Sequence, residues 1–461
     1  MQPDERAKAI LVGAQFYDVS DEEHRSSLDE LERLASTMGL EVVARVTQKR
    51  AYLSKGTVLG AGKVQALAKM TGGSGEVPSG AKVKKQRGQH VGFPSSGEDE
   101  EEEEEPGDDE EGELTETTGE KPKLILVDHD LSPSQVRNLE QATGATVLDR
   151  TGVILEIFRR HARTREAKLQ VEIARLQYEA PRIRETGGGG DRVRGGVGGR
   201  GAGESSLELD RRKIRDRIAE LRRELDSIAG ESGSRRERRS TQCTVALVGY
   251  TNAGKSSLMR RLTGNEVYVA DKLFATLDTT VRALHPESRP RILVSDTVGF
   301  IKKLPHDLVA SFRSTLEEAK EADLLLHVVD ASDPAFPQQQ VVTQEVLGEI
   351  GASQTRLLVL NKIDRVEPAQ VEALRAAYPE AFLMSAHRPE DVARLRARII
   401  AHFEVGMIET TLTVPYAEQG KVAQIHAQYR VLRESHDETG TTIVFMAHPD
   451  RRSLAEVEAS L

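Results

Sequence analysis

The chain has 461 residues, 74 Asp and Glu against 64 Lys and Arg, and one cysteine; this is room for about three domains and excludes any intrachain disulfide. The formal net charge of −10 does not exclude an RNA partner, because residues 98–120 hold fifteen acidic side chains and no basic one, which leaves the rest at +5. The N-terminus, MQPDERAKAILVGAQ, lacks a signal-peptide h-region and no stretch has the apolar length of a membrane span, so a reducing cytoplasm is the expected setting, with Cys243 a small buried hydrophobe.

Taken in order, residues 9–15 (AILVGAQ) predict a buried strand and Asp21 to Met38 a helix, with Leu28, Leu31 and Leu34 on one face and Ser20 or Asp21 as its cap. EVVARV (41–46) predicts a second strand and Lys63 to Met70 a short helix. KLILVDHD (123–130), a helix after Ser132 and Ser134, and ATVLD (145–149) continue the alternation, which implies a parallel α/β sheet in an N-terminal domain, 1–154. Residues 71–120 interrupt it with Gly/Ser, then Lys82, Lys84, Lys85 and Arg87, then the acidic run. Dense like charge and little apolar surface predict a disordered insertion, either a solvated extension or a regulator of basic surface. Gly60, Gly62 and Lys63, in GTVLGAGKVQ, fit a strand-to-helix turn better than a second nucleotide site.

Residues 155–240 change character. EIFRRHARTREAKLQVEIARLQYEAPRI is charged and helix-forming, and beyond it Leu207, Ile214, Ile218, Leu221, Leu225 and Ile228 recur at coiled-coil-like spacing. Two such helices predict an antiparallel hairpin joined by the Gly-rich loop 186–204 with Arg192, Arg194 and Arg200. A flexible linker needs no arginine; together with Arg211, Arg212, Arg215, Arg217, Arg222 and Arg223, these suit RNA phosphates and bases. The last segment, 406–461, predicts a small α+β domain: a strand TLTVPY, a helix over 420–432, a strand TTIVFMAH and a terminal helix.

Residues 241–405 return to α/β alternation and carry the chemistry. VALVGYTNAGKSS spans Gly249, Tyr250, Thr251, Asn252, Ala253, Gly254, Lys255, Ser256 and Ser257, the G-x-x-x-x-G-K-[ST] phosphate loop. Its glycines turn backbone N–H groups onto phosphate oxygens at a helix N-terminus; Lys255 is expected at the β/γ-phosphates and the Ser256 hydroxyl on Mg²⁺. This loop alone leaves ATP and GTP open. Asp296, Thr297, Val298 and Gly299 (DTVG) close the strand RILVS, placing Asp296 to hold Mg²⁺ and the Gly299 N–H to meet the γ-phosphate. Asn361, Lys362, Ile363 and Asp364 (NKID) close RLLVL, and the Asp364 carboxylate matches guanine N1–H and the 2-amino group, which adenine lacks. Ser385 and Ala386 fit a further guanine loop. Phe274, Ala275, Thr276, Leu277 and Asp278 (FATLD) supply the switch, with Thr276 the second Mg²⁺ hydroxyl. The expected catalytic set is therefore Lys255, Asn252, Thr276 and Gly299, and the metal set Ser256, Thr276 and Asp296. The order of these motifs implies a P-loop GTPase domain. Phe300 stands where Ras-like GTPases place a water-orienting glutamine, so intrinsic turnover is expected to be slow. Asn252 matches the asparagine of K⁺-dependent GTPases, or simply favours the turn.

These motifs, with LSPSQVRNLE (131–140), DRTGVILEIF (149–158), QVEIARLQYEAPRI (170–183), LELDRR (207–212) and DTVGFI, resemble the HflX family of GTPases over nearly the whole chain except 71–120 and, more loosely, the last fifty or so residues. The resemblance implies a cytoplasmic, stress-responsive factor, monomeric when free. It would bind large-subunit rRNA through loop 186–204, dissociate stalled or idle ribosomes, and hydrolyse GTP faster on the ribosome. A switch GTPase acting on a protein effector and an RNA-remodelling NTPase are the alternatives; the arginine-rich loop argues against the first, and the lack of a second catalytic cluster against the second.

Overall fold

The apolar run KAILVGAQF forms β1 (Lys8–Phe16), with its seven central residues buried. Continuous burial is what a strand inside a parallel sheet requires. β2 (Glu41–Arg50), β3 (Leu124–Val127) and β4 (Thr146–Asp149) complete a four-stranded parallel sheet in the order β2-β1-β3-β4. In this computed structural model the described residues are 6–51, 56–77, 121–183, 206–239, 242–264, 273–274, 280–303 and 318–447. They fall into two compact units, Met1–Ile157 and Phe158–Leu461.

In the first unit, α1 (Asp21–Thr37) starts where Ser20 accepts a hydrogen bond from Glu23 N at 3.2 Å, and Asp21, Glu22 and Glu23 complement the positive helix end. α2 (Ala61–Thr71) and α3 (Pro133–Thr143) follow; Ser132 and Gln135 form a reciprocal capping box on α3. Ile10, Val12, Leu59, Leu67, Ile125, Leu139 and Val147 share one core, each such side chain contributing about 1.5–3 kcal/mol by burial. The insertion begins later than expected. Thr71 still belongs to α2, the Gly75 N–H donates to Ala142 O at 2.8 Å, and Val77 packs on the core, because glycines with positive φ at 72 and 75 fold the chain back. The acidic run itself lies outside the described residues.

A buried polar cluster also stands at the C-terminal ends of β3 and β4. Arg150, 1% exposed, pairs with Glu30 and, at 2.6 Å, with Asp128, which accepts the Ser27 hydroxyl at 2.6 Å. Satisfied on both sides, the charges are stable together; removing one partner would cost about 3–5 kcal/mol.

α4 (Arg150–His161) ends before Thr164, which caps α5 (Arg165–Glu179) by accepting from Ala167 N at 3.1 Å. α5 and α6 (Ser206–Arg239) form the expected antiparallel pair: Arg165 meets Glu224, and seven residues on, Glu172 meets Arg217, seven back. Leu169, Ile173 and Leu221 are buried between them, flanked by Ile218, Leu225 and Ile228. The joining loop 186–204 lies outside the described residues. No helix among the described residues is long and apolar enough to cross a membrane.

A six-stranded sheet follows in the order β10-β9-β8-β5-β7-β6: β5 (Cys243–Val248), β6 (Thr280–Ala283), β7 (Ile292–Asp296), β8 (Leu324–Asp330), β9 (Thr355–Asn361) and β10 (Phe382–Leu383). All pairs are parallel except β6 with β7. Cys243 is buried at the start of β5, as expected. The last module is a three-stranded antiparallel sheet, β11 (Ile408–Pro415), β13 (Gly440–Ala447) and β12 (Arg430–His436), packed on the helix Gln419–Gln428. The helix expected over 420–432 stops at 428, and RVLRESH is a strand. An edge strand exposed on nearly every residue has no period-2 signal; it pairs with β13 through its backbone, joined by a His436 Nδ1–Thr441 Oγ1 hydrogen bond at 3.0 Å and by Val431 packing on the small core. The expected terminal helix lies outside the described residues.

Candidate nucleotide-binding site

Parallel strands β5, β7, β8 and β9 deliver their C-terminal ends to one edge, where open α/β sheets bind ligands. Gly249 leaves β5 at φ +146, where a Cβ would run into Val328 O. Gly254 has φ +95, where a Cβ would strike Asn361 Nδ2, and it opens α7 (Lys255–Thr263) without a side-chain cap. Asn252 sits between them at φ +60, a left-handed conformation asparagine tolerates. Lys255 is 6% exposed and donates to Gly249 O at 2.9 Å and Tyr250 O at 2.7 Å. Burial pushes its ammonium down to about 8, against the pull of Asp296.

The second strand end locks onto this loop. Thr251 N–H donates to Phe300 O at 2.7 Å, and Phe300 N–H to Gly249 O at 3.1 Å. The Tyr250 hydroxyl accepts from Lys302 N at 2.6 Å. Ser256 Oγ donates to Asp296 Oδ2 at 2.7 Å, joining two of the three expected metal donors. A hydroxyl and a carboxylate are hard oxygen ligands that suit Mg²⁺. Among the described residues no group of three or more His, Cys, Asp or Glu could hold a metal, so an ion here would share its coordination with nucleotide and water. Thr297 is fully buried and donates to Leu247 O at 2.7 Å, which makes it a strut of the sheet; Val298 is buried beside it.

At the third strand end Asn361 is 1% exposed and bridges two loops. Its Nδ2 donates to Ala253 O at 2.9 Å and its Oδ1 accepts from Ala386 N at 3.0 Å. Lys362 has φ +62 and its ammonium pairs with Asp330 Oδ2 at 2.7 Å. Ile363 packs against a side core with Leu360. Asp364 is exposed. Its slight burial works to raise the carboxyl, but hydrogen bonds from the Ser385 hydroxyl and its own backbone N–H, with His387 and Arg365 nearby, hold it below its ordinary value. Ser385 is itself buried and anchored through its N–H to Asp391 Oδ2 at 2.9 Å.

The structure thus brings the 249–257, 296–299, 361–364 and 385–386 sets together. Phe274 is described separately, buried with its ring edge-on to Phe158 at 4.7 Å; Ala275, Thr276, Leu277 and Asp278 lie outside the described residues. Sequence reasoning missed Asp330, Asp391 and His327. Asp330 ends β8 as Asp296 ends β7, and that position was the available signal. His327, 4% exposed in LLLHVVD, is pushed down to about 4 by burial and by Arg356 and Lys255.

Comparison with known proteins agrees with this geometry. A family model described as a 50S ribosome-binding GTPase matches residues 244–362; models described as GTP-binding GTPase Middle Region and GTP-binding GTPase N-terminal match 161–239 and, in two parts, 25–76 and 107–159. A protein named GTPase HflX from Gluconacetobacter diazotrophicus is 56% identical over 97% of this chain and 98% of its own length. Proteins of the same name from Caldanaerobacter subterraneus and Escherichia coli are 36% and 39% identical, over 95% and 76% of this chain and 90% and 83% of their own.

Proposed function

This chain belongs to the HflX family of GTPases, which bind and hydrolyse GTP, and from that premise we propose that it is a ribosome-associated factor that separates stalled or idle ribosomes in the cytoplasm. We read the chain as four modules, 1–154, 155–240, 241–405 and 406–461. In the third, the Gly249–Ser257 loop and Gly299 hold the phosphates, Ser256, Asp296 and Thr276 hold Mg²⁺, and Asp364 with Ser385 and Ala386 selects guanine. Lys255 neutralises the β/γ-phosphates, and bound K⁺ beside Asn252 would offset charge developing during hydrolysis. Equal rates in Na⁺ and K⁺ at matched ionic strength would rule out that last role.

The observation that carries the ribosomal reading is the face of α6. Arg215, Arg222 and Arg223 are exposed and line one groove of about 550 Å³ with Gln177, whereas Arg217 is engaged by Glu172 and Glu220. A basic groove on a helix pair that ends in an arginine-glycine loop fits phosphate-backbone contact. Sedimentation with ribosomes tests it. Co-pelleting or subunit release should appear with GTP or a non-hydrolysable analogue, and Arg215→Glu with Arg222→Glu should abolish it. No nucleotide-dependent change in either quantity would end this reading.

A further inference from the structure

Thr251, the third residue of the phosphate loop, is only 6% exposed, and among the described residues its hydroxyl oxygen meets no hydrogen-bond partner. Burying a hydroxyl unpaired is unfavourable, and valine would fill the same volume without that cost. The side chain lies against Gly299. The point a Cβ on Gly299 would occupy is 2.8 Å from Thr251 Cα, 2.9 Å from its Cγ2 and 2.9 Å from Lys255 Nζ. Two loop residues and the glycine of DTVG therefore close around one spot. Phe300, next in the chain, is 2% exposed and has no polar side-chain atom to offer there.

We propose that the Thr251 hydroxyl is a further catalytic group, accepting a hydrogen bond from the water that attacks GTP and so doing the orienting that Phe300 cannot. This deepens, and rests on, the reading of the loop as the GTP site. The water oxygen forms the new bond to the γ-phosphorus. The bond from that phosphorus to the β,γ-bridging oxygen breaks, its electron pair leaves on GDP, and the water's proton ends on the released phosphate. Thr251 gains and loses no proton overall; it fixes the line of approach.

The test is single-turnover GTP hydrolysis by the full-length protein without ribosomes, beside titration of a fluorescent GDP analogue. Thr251→Val and Thr251→Ala should lower the hydrolysis rate roughly ten-fold or more, with nucleotide affinity held within about three-fold. Thr251→Ser should recover most of the rate, which loss of packing alone would not predict. Rates at or above wild type in the valine and alanine variants would overturn the proposal, a rise marking the side chain as a steric brake. Equal losses of affinity and rate would overturn it too, by assigning Thr251 to binding. If the wild type failed to bind the analogue, the GTP-site reading would fall and this inference with it; binding and hydrolysis indifferent to Thr251 would sink the inference alone.

Discussion

The turn from β5 into α7 and the turn that leads into α2 both set glycine directly before lysine, Gly254–Lys255 in one and Gly62–Lys63 in the other. In the first, Gly249 and Gly254 have φ of +146 and +95, and a Cβ at either would collide with a neighbouring strand end. In the second, Gly60 has φ −67, its N–H is already taken by Gln48 Oε1 at 2.8 Å, a Cβ there would crowd only the far ends of the long Arg50 and Gln48 side chains, and a Cβ on Gly62 would meet nothing within 4 Å. Lys255 is buried while Lys63 is partly exposed. Glycine is thus demanded by backbone geometry in one turn and merely tolerated in the other. A motif becomes a site when the chain has given up side chains to make room for backbone N–H groups.

Substitutions can break that contrast. The largest effect is expected from Gly249→Ala, which forces a Cβ against Val328 O at a φ that L-residues avoid. It should cost about 2 kcal/mol or more in a thermal melt and at least roughly ten-fold in GDP affinity. Wild-type affinity in this variant would mean that the loop has room to spare. The next effect is on pH dependence. Burial holds Lys255 at about 8 when free, and bound phosphates favour its charged form, so affinity should be full at pH 7 and fall up to about ten-fold per pH unit above 8. The sign for folding is opposite. With Lys255 near 8 when folded and 10.5 when unfolded, the unfolded chain binds the extra proton in between, and this group's contribution to stability rises from pH 8 to 10.5. Affinity that stays flat between pH 7 and 9 would remove Lys255 from phosphate binding. The smallest effect is Gly62→Ala, which should stabilise α2 by about 0.5–1 kcal/mol and leave GDP affinity unchanged. Loss of stability or of affinity there would show that the second turn needs its glycine after all.

Much of this was readable beforehand where a local rule acts. The apolar runs of β1, β5 and β7 announce buried strands, Ser20 and Ser132 announce helix starts, and the seam from Ile218 to Ile228 announces the α5–α6 pair. What escaped depends on residues brought together by folding. Arg150 is 120 positions from Glu30, and the Asp330–Lys362 contact joins the ends of two different strands. Each partner alone looks like an ordinary charged or polar residue. β12 escaped for another reason: an edge strand exposed on nearly every residue leaves RVLRESH with no apolar alternation.

The central claim is that the strand ends of this sheet form a guanine site whose selectivity is set by Asp364, and competition between guanine and xanthine nucleotides tests it most directly. The carboxylate accepts from guanine N1–H and the 2-amino group; an amide in its place can instead donate to the xanthine 2-oxygen. Wild type should prefer GDP over XDP by roughly a thousand-fold or more, and Asp364→Asn should reverse the order. An Asp364→Asn protein that still binds GDP like wild type and gains nothing for XDP would contradict the account.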